Sequence, residues 1–109
     1  MIDLEGFQAE LSALKAAYAA ELPAIIKQIE QEWNQLARGE WDDQGFQALM
    51  LKVHSLTGSG KSFGFDSISD AARNLEDYLR PFSRAQAAPN EVQRNSIEAL
   101  LHELRRALG

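Results

Sequence analysis

The feature of this sequence that could do chemistry is a histidine inside a helical pattern, followed by glycines and a lysine. The stretch from Val53 to Gly64 reads VHSLTGSGKSFG. At about 100° per residue, one flank of such a helix carries a row formed by Met50, His54, Thr57, Gly58 and Lys61. An interior glycine costs up to about 1 kcal/mol relative to alanine. The two glycines inside this helix therefore have a purpose other than helix stability.

This row suits phosphorus chemistry. Gly58 lies one turn after His54 and, without a side chain, leaves the imidazole open to the backbone of another molecule. Lys61 lies a further turn along and places a positive charge where an anion can be held. Because neutral imidazole is available near pH 7, such a histidine can attack phosphorus. The same spacing also fits a histidine that only packs at the edge of a core, with glycines that permit close helix packing.

Four amphipathic segments must hold this row in place, and the first is the longest. Its apolar residues recur at intervals of three and four along one helix face, at Phe7, Leu11, Leu14, Tyr18, Leu22, Ile25, Ile26, Ile29, Trp33 and Leu36. Pro23 lacks an amide donor and clashes with the carbonyl of Ala19, so we expect a kink near Pro23 or two abutting helices. Gly39 predicts the end of this segment, whose length allows one part to extend past a bundle.

Capping and breaking residues predict the other boundaries. Asp42 or Asp43 should cap the second segment, which ends at Gly64. The third segment should start after Asp66 or Ser67 and end at Pro81. The last should start at Pro89-Asn90-Glu91, after a polar connector at 83–88. Only two or three residues separate the second and third segments, so these must be antiparallel neighbours.

Together the segments predict an all-α fold, an up-down bundle of four antiparallel helices. We expect a single domain over residues 1–109, because a chain of 109 residues supports one modest core. The histidine then lies in a helical hairpin at 43–80.

Composition limits the function classes. With no cysteine and only two histidines, His54 and His102, on different segments, we expect no metal site. A net charge of −5 argues against nucleic-acid binding. No apolar run approaches the roughly 18 residues that span a bilayer, and the N-terminus lacks a signal-peptide pattern. We expect a cytoplasmic protein that neither binds nucleic acid nor inserts into a membrane.

A second motif is a chance imitation. Gly58 to Ser62 reads GSGKS, like the end of a nucleotide-binding P-loop. That pattern requires a glycine where Ser55 stands and a preceding strand, and neither is present in the pattern of this sequence. We therefore expect no ATP site.

The stretch around His54 resembles the histidine-containing phosphotransfer (HPt) domain family. The signature of that family is His-x-Leu-Lys-Gly, followed by small residues and a glycine that ends the helix. The matching residues are His54, Leu56, Gly58, Ser59, Gly60 and Gly64, and the segment from Ile68 to Glu76 is similar to the next helix of the family. The usual lysine, three residues after the histidine, is Thr57 here, which leaves Lys61 to supply the charge.

The resemblance implies a phosphotransfer intermediate in a two-component phosphorelay, without autokinase activity. His54 would accept a phosphoryl group from a receiver-domain aspartyl phosphate, or along a histidine kinase pathway, and pass it on. The chain would need no cofactor of its own, since the receiver supplies Mg²⁺. Glu76 lies about as far after the hairpin turn as His54 lies before it. By resemblance, Glu76 would accept a hydrogen bond from the imidazole and fix its tautomer.

A partner surface follows from the same resemblance. We expect a receiver domain to cover His54 and Gly58, with Met50, Thr57 and Arg80 among the contacting residues, and we expect the chain to be a monomer. The alternative is a noncatalytic helical adaptor that binds a signalling partner through the same face and never carries phosphate.

Overall fold

Four α-helices account for most of residues 3–109, the part of the chain described by a computed structural model. They are α1 (Leu4–Arg38), α2 (Asp43–Ser62), α3 (Asp66–Ala85) and α4 (Glu91–Arg106). Contacts between residues far apart in sequence show that neighbouring helices run in opposite directions. On α1 and α4, for example, Glu30 meets Arg105 while Ala37 meets Arg94. The predicted all-α bundle of four helices is confirmed.

One hydrophobic core holds the bundle together. Its largest fully buried side chains come from all four helices and include Trp33, Phe46, Ile26, Ile29, Leu49, Leu56, Leu75, Leu79, Ile97 and Leu104. Burial of these side chains is the main stabilising contribution, since each removes apolar surface from water. Within residues 3–109, no helix is both long enough and apolar enough to cross a bilayer.

The helix α1 continues through Pro23 as a single element. The alternative of two abutting helices is therefore wrong, and the predicted kink is not confirmed. Pro23 is exposed, whereas Leu22 and Ile26 on either side of it are buried. With the proline ring on the solvent side, one backbone hydrogen bond is lost while the buried neighbours still pack against the core.

The N-terminal half of α1 extends past the other helices. Its apolar residues are exposed, at 64% for Leu4, 55% for Phe7, 48% for Leu11 and 56% for Leu14. The first buried residue is Tyr18, which stacks on Phe63 and shares a hydrogen bond of 2.7 Å with Ser59 Oγ. The bundle therefore begins near Tyr18, and the preceding turns of α1 project from it.

A tight turn of three residues joins α2 to α3. Gly64 adopts a φ of +83°, which few residues other than glycine accept readily. The amide of Gly64 donates to the carbonyl of Lys61, and the amide of Phe65 donates to the carbonyl of Gly60. This pair of hydrogen bonds is a Schellman motif, and it confirms Gly64 as the predicted helix end.

Two predicted boundaries of α3 are wrong. The helix begins at Asp66 itself, and it passes Pro81 to end at Ala85, so the connector before α4 is shorter than predicted. Two contacts hold the last turn: Ser83 bonds to Gln47 of α2, and Phe82 packs on Tyr78 one turn earlier in α3. The start of α4 is as predicted, with Asn90 and Gln93 forming a capping box.

Candidate functional site

Three polar contacts along the α2–α3 interface surround the candidate site. On α3 they are made by Ser69, Glu76 and Ser83, which are seven residues apart and therefore share one helix face. Their partners on α2 are, in the same order, the carbonyl of Thr57, the imidazole of His54 and the side-chain amide of Gln47. We call these three contacts the polar rungs. They fix the register of the two helices, and His54 belongs to the middle rung.

His54 combines a held nitrogen with an open one. Its Nδ1 lies 2.6 Å from Oε2 of Glu76, while 71% of its side chain is exposed. An ionised carboxylate can only accept hydrogen bonds, so Nδ1 must be the donor. Nε2 then carries the lone pair, and it makes no hydrogen bond within residues 3–109. The predicted meeting of His54 and Glu76 is confirmed, and the arrangement leaves Nε2 as the ring nitrogen that is open to solvent.

Glu76 is buried and remains ionised. Burial raises the pKa of its carboxyl group, but the hydrogen bond from His54 and the charge of Arg80 together lower the pKa below its ordinary value. Nη2 of Arg80 lies 3.3 Å from Oε2 of Glu76, and Nη1 lies 3.1 Å from Oδ1 of Asp77. Glu76 is therefore a carboxylate near neutral pH and accepts from both His54 and Arg80.

Thr57 does not lie on the exposed row, and its predicted part in docking is wrong. Only 5% of the residue is exposed, and its hydroxyl donates to the carbonyl of Val53 at 3.1 Å. A step of three residues rotates a position by about 60° from His54 around the helix, and here this rotation turns Thr57 toward α3. Its carbonyl accepts from the hydroxyl of Ser69.

The two interior glycines of α2 serve different purposes. A Cβ atom at Gly58 would meet no heavy atom within 4 Å, so the surface one turn after His54 is open, as predicted. A Cβ atom at Gly60 would lie 3.3 Å from the amide nitrogen of Ser69 and 3.5 Å from the carbonyl oxygen of Phe65. Gly60 therefore lets the α2 and α3 backbones approach closely, which was the alternative explanation for a glycine here.

Lys61 is exposed at the turn end of the hairpin. It lies seven residues after His54, or roughly 10 Å along the helix axis. It lines a hollow of about 220 Å³ together with Asp66, Asp70 and Arg73. Because two carboxylates share this hollow, the positive charge of Lys61 is partly offset where it stands. Its role toward phosphate stays a prediction.

The surface around His54 contains an apolar residue that the sequence analysis missed. Leu51 is 68% exposed and lines a hollow of about 270 Å³ between α1 and α2, together with Ser55. Met50 is half-buried against the core, and Arg80 is half exposed. A signal for Leu51 was present, because it falls outside the buried row of α2 and yet is a large apolar residue.

Residues 58–62, which imitate a P-loop, belong to α2. No strand occurs within residues 3–109, so this segment lacks the strand and loop that hold a nucleotide.

His102 is exposed on α4 and lines a hollow with Lys27 and Glu30 of α1. The two histidines therefore belong to different surfaces, and among residues 3–109 no three His, Asp or Glu side chains form a group suited to a metal.

Comparison with known proteins agrees with this arrangement. The family model described as Hpt domain matches residues 7–108, essentially the whole chain. No curated protein and no solved structure shows significant similarity. Hpt domains transfer phosphoryl groups in two-component phosphorelays and interact with receiver domains. With an exposed histidine on a bundle of four helices and a match over this length, the chain belongs to the Hpt domain family.

Proposed function

We propose that this protein accepts a phosphoryl group on Nε2 of His54 from the aspartyl phosphate of a receiver domain and passes it to another carrier. The observation that carries the proposal is the pairing of His54 with Glu76. Nδ1 is held at 2.6 Å from a buried carboxylate, while the imidazole is 71% exposed. One nitrogen is thereby committed to the protein, and the other is free to react.

The chemistry needs little from the chain itself. The lone pair on Nε2 attacks phosphorus, the N–P bond forms, the P–O bond to the receiver aspartate breaks, and that carboxylate leaves with the bonding electrons. Positive charge develops on the imidazole during attack, and the Glu76 carboxylate stabilises it through Nδ1–H. A receiver domain would hold Mg²⁺, which would neutralise charge on the transferring phosphoryl group. The reverse step regenerates neutral His54 and phosphorylates the next carboxylate.

The shape of the surface favours a protein as the phosphoryl donor. Open space beside Gly58 allows the rim of a receiver active site to reach His54. The exposed Leu51 offers apolar area on the same helix, and Arg80 offers a cation that is half exposed. We propose that Gly58, Leu51 and Arg80 contact the receiver, with Met50 packed beneath them and Lys61 at the edge. Residues 58–62, which imitate a P-loop, are helical, and we propose an intermediate rather than a kinase.

The test is phosphotransfer from a labelled receiver domain to the purified chain. We expect the wild-type protein to take up label that is stable to base and labile to acid, as phosphohistidine is. His54→Gln should remove the label. His102→Gln is the matched control, because His102 is an exposed histidine on another helix, and it should label like the wild type.

Equal labelling of the His54→Gln variant would overturn the assignment of the acceptor. If the receiver binds the wild-type chain but no label is transferred, the adaptor function is favoured instead. Binding and transfer should therefore be measured on the same samples.

A further inference from the structure

The projecting half of α1 carries an apolar surface that the rest of the chain leaves uncovered. This surface, the α1 seam, consists of Leu4, Phe7, Leu11 and Leu14. Within residues 3–109 only two other large apolar side chains are exposed, Leu51 and Val92. Most of the exposed large apolar side chains are thus concentrated on one edge of one helix. Concentrated apolar surface of this kind marks an interaction site more often than scattered exposed residues do.

The spacing of the α1 seam fits another α-helix. Its residues follow each other at intervals of three, four and three, as the a and d positions of a coiled coil do. The same edge continues into Tyr18, where the bundle begins to cover it. The turn between α2 and α3 reaches no further than Lys15, whose Nζ lies 5.4 Å from the centre of the Phe65 ring. No helix in residues 3–109 therefore extends far enough to cover the seam of its own chain.

We propose that the α1 seam binds the α1 seam of a second copy in antiparallel orientation. The spacing is self-complementary, because Leu4 then meets Leu14 of the second copy while Phe7 meets Leu11. All four residues of each copy are paired in this arrangement, which has a two-fold axis between Phe7 and Leu11. Such an isologous contact closes on itself and gives a dimer rather than a filament.

The position of the bundle determines the direction. Beyond Lys15 the edge of α1 that bears the seam is occupied by the α2–α3 turn, where Tyr18 packs on Phe63 and Phe65. A parallel partner helix would run from the seam directly into this turn. An antiparallel partner instead runs away from this turn, and the two bundles lie at opposite ends of the paired helices.

The available area fits a reversible dimer. Taking about 200 Å² for a fully exposed leucine or phenylalanine, the exposed fractions correspond to roughly 400 Å² per copy, or roughly 800 Å² for both. This value lies below the roughly 1,200 to 2,000 Å² of stable specific interfaces, in the range of weak and transient contacts. We therefore expect self-association that depends on protein concentration, in place of the monomer predicted from the sequence. This inference does not rest on the proposed function, because His54 lies on α2 and the seam on α1.

The first test is sedimentation velocity of the full chain over a range of concentrations. The wild type should change from a 12.1 kDa monomer to a dimer as the concentration rises. Leu11→Glu puts a charge at the centre of the seam and should weaken dimerisation by at least about tenfold. Val92→Glu adds the same charge at an exposed apolar residue of α4 and should leave dimerisation unchanged. A wild type that stays monomeric throughout, or equal effects of both variants, would overturn the proposal.

The second test uses the absence of cysteine from the chain. Glu10 lies beside the predicted two-fold axis, so two copies of Glu10→Cys should react with a short bis-maleimide crosslinker. Ala17 lies on the same flank one heptad later, and its two copies would be roughly 24 Å apart along the axis. Ala17→Cys should therefore not crosslink. A parallel pair would place both cysteines equivalently, so equal reaction of the two variants contradicts the antiparallel dimer.

Discussion

The α2–α3 hairpin and the projecting half of α1 begin from the same sequence pattern and end in different environments. Both carry apolar residues at intervals of three and four. In the hairpin these residues are covered, and Val53 and Leu75 are almost completely buried. In the α1 seam they are between 48% and 64% exposed. The difference shows that periodicity predicts which face of a helix is apolar, while the length of the neighbouring helices decides whether that face is covered.

The two regions also differ in polar contacts. The hairpin has three polar rungs at intervals of two turns and a glycine that brings the backbones together. The projecting half of α1 has no partner helix in residues 3–109 and so has no such contacts. His54 lies where the register of the helices is fixed at several points, which suits its hydrogen bond with Glu76, because a small displacement would break that bond. The projecting region is free to associate.

The largest expected effect is on the free energy of unfolding, and it distinguishes the two halves of α1. Ile29→Ala removes a fully buried side chain and should lower the free energy of unfolding by about 3 to 4 kcal/mol. Leu11→Ala removes a side chain from the same row where it is uncovered, and should change it by less than about 0.5 kcal/mol. Urea denaturation at low protein concentration measures both values. Similar losses would mean that the projecting half is packed after all.

The next largest effect on the free energy of unfolding is expected at Gly60 and not at Gly58. Gly60→Leu forces a side chain against the backbone of Ser69 and Phe65 and should lower the free energy of unfolding by about 2 to 3 kcal/mol. Gly58→Leu enters open space and should change it by no more than about 1 kcal/mol. The same Gly58→Leu variant should slow phosphotransfer at least about tenfold, because the added side chain blocks approach to His54. Wild-type transfer by this variant would refute the need for open space.

A smaller effect is expected at the middle polar rung. Glu76→Ala leaves His54 Nδ1 without its acceptor and should slow transfer about tenfold without abolishing it. Nitrogen NMR of the imidazole should show the Nδ1-protonated tautomer in the wild type and a mixture in the variant. Ser69→Ala, two turns away on the same face, is the control for general destabilisation and should retain the wild-type tautomer. An unchanged tautomer in Glu76→Ala would remove the proposed role of the carboxylate.

Acid should weaken the same rung. Because the pKa of Glu76 is lower in the folded protein than its ordinary value, its ionisation contributes stability that is fully present above the unfolded pKa, about 4.3. This contribution is lost as the pH falls through the folded pKa. Glu76→Gln lacks the titrating group, so the difference in unfolding free energy between wild type and variant should be smaller at pH 3 than at pH 7. A difference that does not vary with pH contradicts the ion pairing.

The smallest effect is expected at the edge of the site. Lys61→Ala should slow phosphotransfer about twofold, because the charge is two turns from His54 and shares its surroundings with Asp66 and Asp70. Lys61→Arg keeps the charge and should transfer like the wild type. A wild-type rate for the alanine variant would leave Lys61 a surface charge without a role in transfer.

Much of this arrangement could be predicted from local sequence. The ends at Gly39 and Gly64 and the starts at Asp42 and Asn90 follow from capping chemistry within one turn of each residue. The meeting of His54 with Glu76 follows from counting equal distances on both sides of a turn of three residues. These features depend on few residues, and the pattern of those residues is visible in the sequence.

The remainder depends on contacts between distant residues. The last turn of α3 continues past Pro81 because Ser83 bonds to Gln47 on another helix. Thr57 turns away from the surface because the close approach at Gly60 sets how α2 lies against α3. The exposure of the α1 seam depends on where α2 and α3 end. None of these results is encoded in helix periodicity alone.

The interval of seven residues between the polar rungs has a consequence for insertions and deletions. One residue added between Ser69 and Ser83 would rotate the following part of α3 by about 100°, and at least one rung would lose its partner. Two inserted residues would also cost at least one rung its partner, since the combined rotation does not return the following part of α3 to the same face. Tolerated changes in chain length should therefore fall outside the hairpin, in the connectors at 39–42 and 86–90 or in the first turns of α1, where an added residue shifts no rung.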